Sequence, residues 1–190
     1  MNLEIRNAAP LLPLETDRLT IRQYREEDAQ AYFRLYSNPR VSCFLREKTD
    51  SLEAARREVG QRMLLKDGSE LAVCLKETGE WIGTVFGMWE GDTFSVCWNF
   101  LPEFGGMGYA HEAALAYLTF LFREMGARRI YAYVEDTNLP SQLLCRRLGM
   151  RQEGLFVEFV SFVNNPDGTP RYENTMQFAI LKKEWDQLHP

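Results

Sequence analysis

Pro102-Glu103-Phe104-Gly105-Gly106-Met107-Gly108-Tyr109-Ala110, followed at once by the apolar-periodic His111-Glu112-Ala113-Ala114, is the stretch that decides how this chain reads. Three glycines in four residues leave a strand and enter a helix. Without Cβ atoms, their amides can approach a ligand closely. Together with the positive end of the helix dipole they form an anion site. A tight turn that needs glycine only for its dihedrals accounts for the same residues equally well. Two phosphate loops are excluded. No Lys-Ser/Thr pair follows to make a P-loop, and His111 stands where a dinucleotide fingerprint needs its third Gly or Ala. Nucleotide hydrolysis and hydride transfer fall away with them.

Behind the glycines, Ala114, Tyr117, Leu118, Leu121 and Phe122 fit one helical face, with Gly126 as its C-cap. Ahead of them, Leu71–Lys76, Trp81–Trp89 and Thr93–Leu101 read as strands joined at Thr78-Gly79 and Gly91-Asp92. Arg18–Tyr24 alternates as a strand. Ala29, Tyr32, Phe33 and Tyr36 make a helix ended by Asn38-Pro39. A second helix opens at Asp50 with Glu53 as a capping box. Downstream come a strand at Arg129–Val134, a short helix with Pro140 near its start and Gly149 past its end, and strands Glu153–Val163 and Tyr172–Leu181 about the turn Asn165-Pro166-Asp167-Gly168. Hairpins outnumber crossovers, so the class is α+β, with a mixed and mostly antiparallel sheet.

The 190 residues suit one domain over 1–190, with a core at about 14–186. Net charge is −5 and no basic block occurs, which excludes a general nucleic-acid binder. The apolar stretch Ala113–Phe122 is too short to cross a bilayer. Charges at Glu4, Arg6, Glu15, Asp17 and Arg18 interrupt any signal peptide. Four scattered cysteines and two histidines make no zinc pattern, so no metal is expected. Three of the four cysteines read as small buried thiols in a reducing cytoplasm.

The run Gly105–Ala110 resembles motif A, Gln/Arg-x-x-Gly-x-Gly/Ala, of the GNAT superfamily of acyl-CoA N-acetyltransferases. Asn138-Leu139-Pro140-Ser141 through Leu148-Gly149-Met150 is similar to motif B. Leu14–Arg22 with Glu27-Asp28-Ala29, and Glu184-Trp185, resemble the ribosomal-protein N-acetyltransferase-like branch. The resemblance implies a splayed sheet with helices on both faces and acetyl-CoA as co-substrate. It implies direct attack of a primary amine, on a small molecule or a protein or peptide, through a tetrahedral intermediate. It also implies no membrane partner and a homodimer through the last strands. Cofactor contacts fall on Phe100, Leu101, Gly105, Gly106, Met107, Gly108, Tyr109, Ala110, Asn138 and Ser141, with a backbone N–H at Phe100 or Leu101 polarising the thioester carbonyl.

Three positions depart from the family. Gly105 replaces the Gln/Arg of motif A, Cys145 stands where a tyrosine often protonates the leaving thiolate, and Val157 replaces a frequent arginine. Ser141, Cys145, Glu135 and Glu158 are the candidate catalytic side chains, the two glutamates as bases. For Cys145 helix packing competes, for Asn138 and Ser141 helix capping, for Glu112 dipole compensation. Arg146, Arg147, Arg151 and His111 could meet phosphates. Tyr36, Phe44 and the loop 164–171 are candidates for the acceptor pocket. A CoA-binding sensor without turnover is the alternative reading.

Overall fold

Along Glu70–Leu75 the side chains divide by parity: Leu71 and Val73 join one apolar cluster, Ala72 and Cys74 another. A strand buried on both faces belongs inside a sheet covered by helices on each side. The structure, a computed structural model describing residues 13–65 and 67–190, has this arrangement. In chain order its elements are β1 (Leu14–Glu15), β2 (Leu19–Arg22), α1 (Ala29–Tyr36), α2 (Leu52–Arg62), β3 (Glu70–Leu75), β4 (Trp81–Glu90), β5 (Thr93–Phe100), α3 (Tyr109–Arg123), β6 (Arg129–Glu135), α4 (Leu139–Arg147), β7 (Arg151–Asn164), β8 (Pro170–Leu181) and α5 (Lys182–Leu188). Short 3-10 turns lie at Glu26–Asp28, Ser42–Glu47 and Pro102–Phe104.

The eight strands form one sheet in the order β1-β2-β3-β4-β5-β6-β8-β7. Every neighbouring pair is antiparallel except β5 and β6. One face is covered by α1 and α2, whose Tyr32, Tyr36, Ala55 and Val59 pack on Ala72, Cys74 and Trp81. The other carries α3, with Tyr117, Leu118 and Leu121 against Ile21, Val73, Val85 and Val96, while Leu148 and Trp185 close the β6–β8 end. The fold is thus the α+β, mixed, helix-flanked sheet expected.

The parallel pair positions the site. Pairing joins only Thr93 to Arg129, Phe94 to Ile130 and Ser95 to Tyr131. Beyond Ser95, β5 stays with β4 as far as Phe100, and β6 stays with β8 as far as Glu135. The two strands therefore diverge, opening a gap between Val96–Phe100 and Ala132–Glu135.

Four local features differ from the sequence reading. The N-cap of α2 is Ser51, whose Oγ accepts from the Ala54 amide at 3.1 Å, while Asp50 lies outside the helix and pairs with Lys48. The two-residue β1 and the seven-residue α5 are too short to carry a readable period. Strand β7 begins at Arg151, and none of its side chains is buried, so it lacks the alternation that marks a half-buried strand. The charged N-terminal residues invoked against a signal peptide lie partly outside the described residues. Among the described residues no helix is long and apolar enough to cross a membrane.

Candidate active site

Two of the glycines between β5 and α3 need to be glycine. Gly106 and Gly108 hold φ of +74° and +83°, the left-handed region that side chains rarely adopt. Gly105 has φ −65° and ψ 149°, extended backbone open to any residue. Gly108 is the N-cap of α3, and no side chain caps that end. The first amides of a fifteen-residue helix are thus left for a ligand, at the positive end of its dipole. An exposed loop of small residues feeding an uncapped helix fits the pyrophosphate of a coenzyme.

Arg18, from the start of β2, holds that loop. Its Nη1 donates to the Met107 carbonyl at 3.0 Å, its Nε to Glu112 at 2.7 Å, and its guanidinium lies 4.5 Å from the centre of the Tyr109 ring. Glu112 also accepts from Thr16 Oγ1 at 2.6 Å and from the Arg18 amide at 2.9 Å. Burial alone would raise the Glu112 carboxyl. The donors from Thr16 and Arg18 outweigh it and hold the group below the usual carboxylate value. Glu112 therefore does more than compensate the helix dipole: with Arg18 it bolts the glycine loop to the sheet. Dipole statistics masked this pairing.

The gap between β5 and β6 contains a cavity of about 170 Å³. Val96, Cys97 and Trp98 form its β5 wall and Ala132, Tyr133, Val134 and Glu135 its β6 wall. Asn138 and Ser141 contribute from the start of α4, Cys43 and Phe44 from the 3-10 turn with Val41 just before it, and Phe159, Val160, Phe162 and Thr175 from β7 and β8. The structure thus brings Asn138, Ser141, Glu135 and Phe44 together. Asn138 caps α4, its Oδ1 accepting from the Ser141 amide at 3.2 Å, and lines the cavity as well. The Trp98 indole N–H donates to Ser141 Oγ at 3.3 Å, spanning from β5 to α4. Trp98 was not singled out in the sequence, where its place in a strand gives no hint of the bond.

Of the two proposed backbone donors, Leu101 is committed: its N–H donates to the Ile82 carbonyl at 2.9 Å. Strand alternation then turns the N–H groups of Trp98 and Phe100 away from β4, toward the gap.

The carboxylates differ. Glu135 is half-buried on the cavity wall and accepts from the Cys43 amide at 3.1 Å. Burial pushes its carboxyl above the usual value; the Cys43 N–H opposes this and the neighbouring Glu173 adds to it. Glu158 sits on the bulge where the β7–β8 register slips, at φ +49°, with an exposed side chain outside the cavity wall. Cys145 lies wholly inside the core beside Leu144 and Leu148, and burial pushes its thiol up to about 12. The structure does not bring either of these two to the gap.

Other candidates also part ways. Tyr36 is buried, stacked on Tyr32 at 4.3 Å between ring centres, and does not reach the cavity. Residues 164–171 form the β7–β8 hairpin end and contribute nothing to the wall. Arg151 is engaged by Glu153 and Glu184, and Arg146 lies over the Phe178 ring. Among the described residues no group of three or more His, Cys, Asp or Glu could hold a metal.

A diverging parallel pair with a cavity in its gap, and an uncapped helix behind a glycine loop at the end of the same strand, make up the candidate site. A family profile described as the acetyltransferase (GNAT) domain matches residues 18–151. The chain is 32% identical over 176 residues to the uncharacterized N-acetyltransferase YnaD of Bacillus subtilis, covering 91% of this chain and 99% of that protein. The crystal structure of a GNAT-family acetyltransferase from Bacillus anthracis superposes with a TM-score of 0.79 at 28% identity, covering 90% of this chain and 99% of that one. A structure described as a putative ribosomal-protein-serine acetyltransferase from Vibrio cholerae shares the fold, with a TM-score of 0.70 at 21% identity over 92% of this chain and 99% of that one. This chain belongs to the GNAT acetyltransferase family.

Proposed function

We propose that the protein transfers the acetyl group of acetyl-CoA to a primary amine by direct attack in the gap between β5 and β6. Acetyl-CoA supplies the activated acetyl thioester. The amides of Gly106, Gly108, Tyr109 and Ala110 would bind its pyrophosphate, and Met107 carries the loop carbonyl that Arg18 fixes. The Phe100 N–H, preorganised in its strand, would polarise the acetyl carbonyl. A primary amine of pKa near ~10.4 is almost wholly protonated at neutral pH, so a base must free its lone pair. Glu135 is the cavity carboxylate placed to take that proton, directly or through one water. Ser141, already accepting from Trp98, keeps an O–H that would hydrogen-bond the departing thiolate, and the second proton lost by the amine nitrogen as the amide forms would end on that thiolate. That donor can suffice, because a thiol of pKa ~8.5 leaves readily as its anion. Proximity supplies most of the acceleration.

The observation that carries this reading is a parallel strand pair that diverges beyond Ser95 around a cavity holding a half-buried carboxylate, with the uncapped start of α3 following the end of the same β5 strand. Glu135 is also what favours turnover over a sensor that only binds coenzyme. A cytoplasmic location accords with the four free thiols. The outer edge of β7, with Leu155 and Val157 exposed at the end of the sheet, supports a homodimer in which a second copy covers it; light scattering would return twice the chain mass. The direct test is mass spectrometry of an amine mixture incubated with the protein and acetyl-CoA. The proposal expects products heavier by one acetyl group; coenzyme binding without any acetylated product would leave the sensor reading.

A further inference from the structure

The cavity wall is chemically lopsided. Glu135 is its carboxylate, and toward the solvent the wall turns aromatic with Phe44, Tyr133, Phe159 and Phe162. Tyr133 and Phe159 lie 5.7 Å apart between ring centres, and both stay about half exposed, at 45% and 50%. Half-exposed rings around a cavity mouth leave apolar surface for a ligand to cover.

The negative charge is local. Glu173 lies two residues along β8 from Thr175, which pairs with Glu135, and its Oε2 is buried with no hydrogen-bond partner among the described residues. Its Oε1 accepts from Arg171 at 3.1 Å. Farther along, the charge reverses: the Arg46 guanidinium lies 5.7 Å from the centre of the Phe162 ring at the cavity edge. An ammonium is thus favoured at Glu135 and a second positive charge is repelled at the rim.

We propose, building on the acetyl-transfer reading, that the acceptor is a small monoamine with an apolar or aromatic body, its ammonium at Glu135 and its body against Tyr133, Phe159 and Phe44. Size agrees, since a cavity of about 170 Å³ is near the ~150 Å³ known to hold a benzene ring. A polyamine or aminoglycoside would bring further cations to a wall whose lining carboxylate, Glu135, is already taken, with Glu173 shared with Arg171 and Arg46 at the edge. A free amino acid would set its α-carboxylate against Glu135 and Glu173. A peptide would bury backbone amides against aromatic rings that offer no partners.

Thiol release from acetyl-CoA would be followed with 2-phenylethylamine, spermidine, an aminoglycoside, phenylalanine and an alanine-initiated tripeptide, with calorimetric titration of acetyl-CoA in parallel. The expected order puts 2-phenylethylamine at least tenfold ahead of the others in kcat/KM. Phe159→Ala, at a half-exposed site that leaves the core intact, should raise KM for 2-phenylethylamine about tenfold, the worth of one ring contact, with kcat little changed. In the CoA-loaded protein, Glu135→Gln should erase the preference for 2-phenylethylamine over 2-phenylethanol. Acetyl-CoA binding together with preference for spermidine, the aminoglycoside, phenylalanine or the peptide overturns this assignment and leaves acetyl transfer standing. An unchanged KM in Phe159→Ala does the same. Absence of acetyl-CoA binding overturns both.

Discussion

Replacing Gly108 by valine tests the proposed phosphate-binding role of the glycine loop where the structure is least forgiving. At φ +83° an ordinary L-residue costs about 1–2 kcal/mol, and a β-branched one lies at or above the top of that range. The new Cβ would also come within 3.3 Å of Arg18 Nη2. Arg18 cannot retreat freely, because it is bonded to Glu112 and to the Met107 carbonyl. A destabilisation of about 2 kcal/mol predicts a Tm lower by roughly 4–8 °C for a domain of this size. Relief of the strain by rotating the loop would misdirect the Gly108 and Tyr109 amides. Two hydrogen bonds to a charged oxygen, at about 1.5 kcal/mol or more each, amount to a loss of about a hundredfold in affinity. Calorimetric titration with acetyl-CoA, on protein shown to unfold cooperatively, measures it. Gly60→Ala is the control, since Gly60 lies in α2 with nothing within 4 Å of an added Cβ. Affinity within threefold of the parent in Gly108→Val would refute the loop assignment.

Four further outcomes follow from the same geometry. Arg18→Ala should weaken acetyl-CoA about tenfold by freeing the Met107 carbonyl and the loop it anchors, a loss of about 1.4 kcal/mol readable by the same titration. Because the folded-state pKa of Glu112 is depressed, its stabilisation is full above the unfolded carboxylate pKa and lost as pH falls through the folded value; the Tm gap between parent and Glu112→Gln should therefore close in acid. With Glu135 as base and its pKa raised by burial, kcat/KM should fall on the acid side at a pH above the ordinary carboxylate value, and Glu135→Gln should lose at least a hundredfold together with that limb. Cys145→Ala should leave turnover within twofold while lowering stability by about 1 kcal/mol, since the thiol fills core space and faces no reacting atom.

The sheet, the two helical layers and the glycine loop were legible because each rests on local signals: the strand runs of β3 to β5 set off by Thr78-Gly79 and Gly91-Asp92, the 3.6-residue stripe of α3, and glycines at positions that demand positive φ. Placement at the gap was legible for Asn138 and Ser141, since the start of α4 lies directly after β6. What escaped depends on contacts across the chain. Cys145 packs in the core with Leu144 and Leu148, the helix-packing alternative read in the sequence, but the docking of α4 beside α3 that decides it is not written within α4. Glu158 occupies a bulge set by the β7–β8 register, and a slip of one residue changes the face on which a carboxylate stands. Arg18 and Glu112 are 94 residues apart, and the indole of Trp98 meets Ser141 across 43. Such pairs become visible only once the sheet has closed.

Hydrogen exchange of the parent protein with and without acetyl-CoA tests the central claim most directly, because it asks where the coenzyme sits. The α3 amides at Tyr109 and Ala110 lack side-chain acceptors, and those of Trp98 and Phe100 face an open gap. The account predicts that peptides covering 96–100 and 105–111 slow by at least tenfold when acetyl-CoA is added, while the hairpin end at 164–171 is unchanged. Protection confined to other segments, or none at saturating acetyl-CoA, would contradict it.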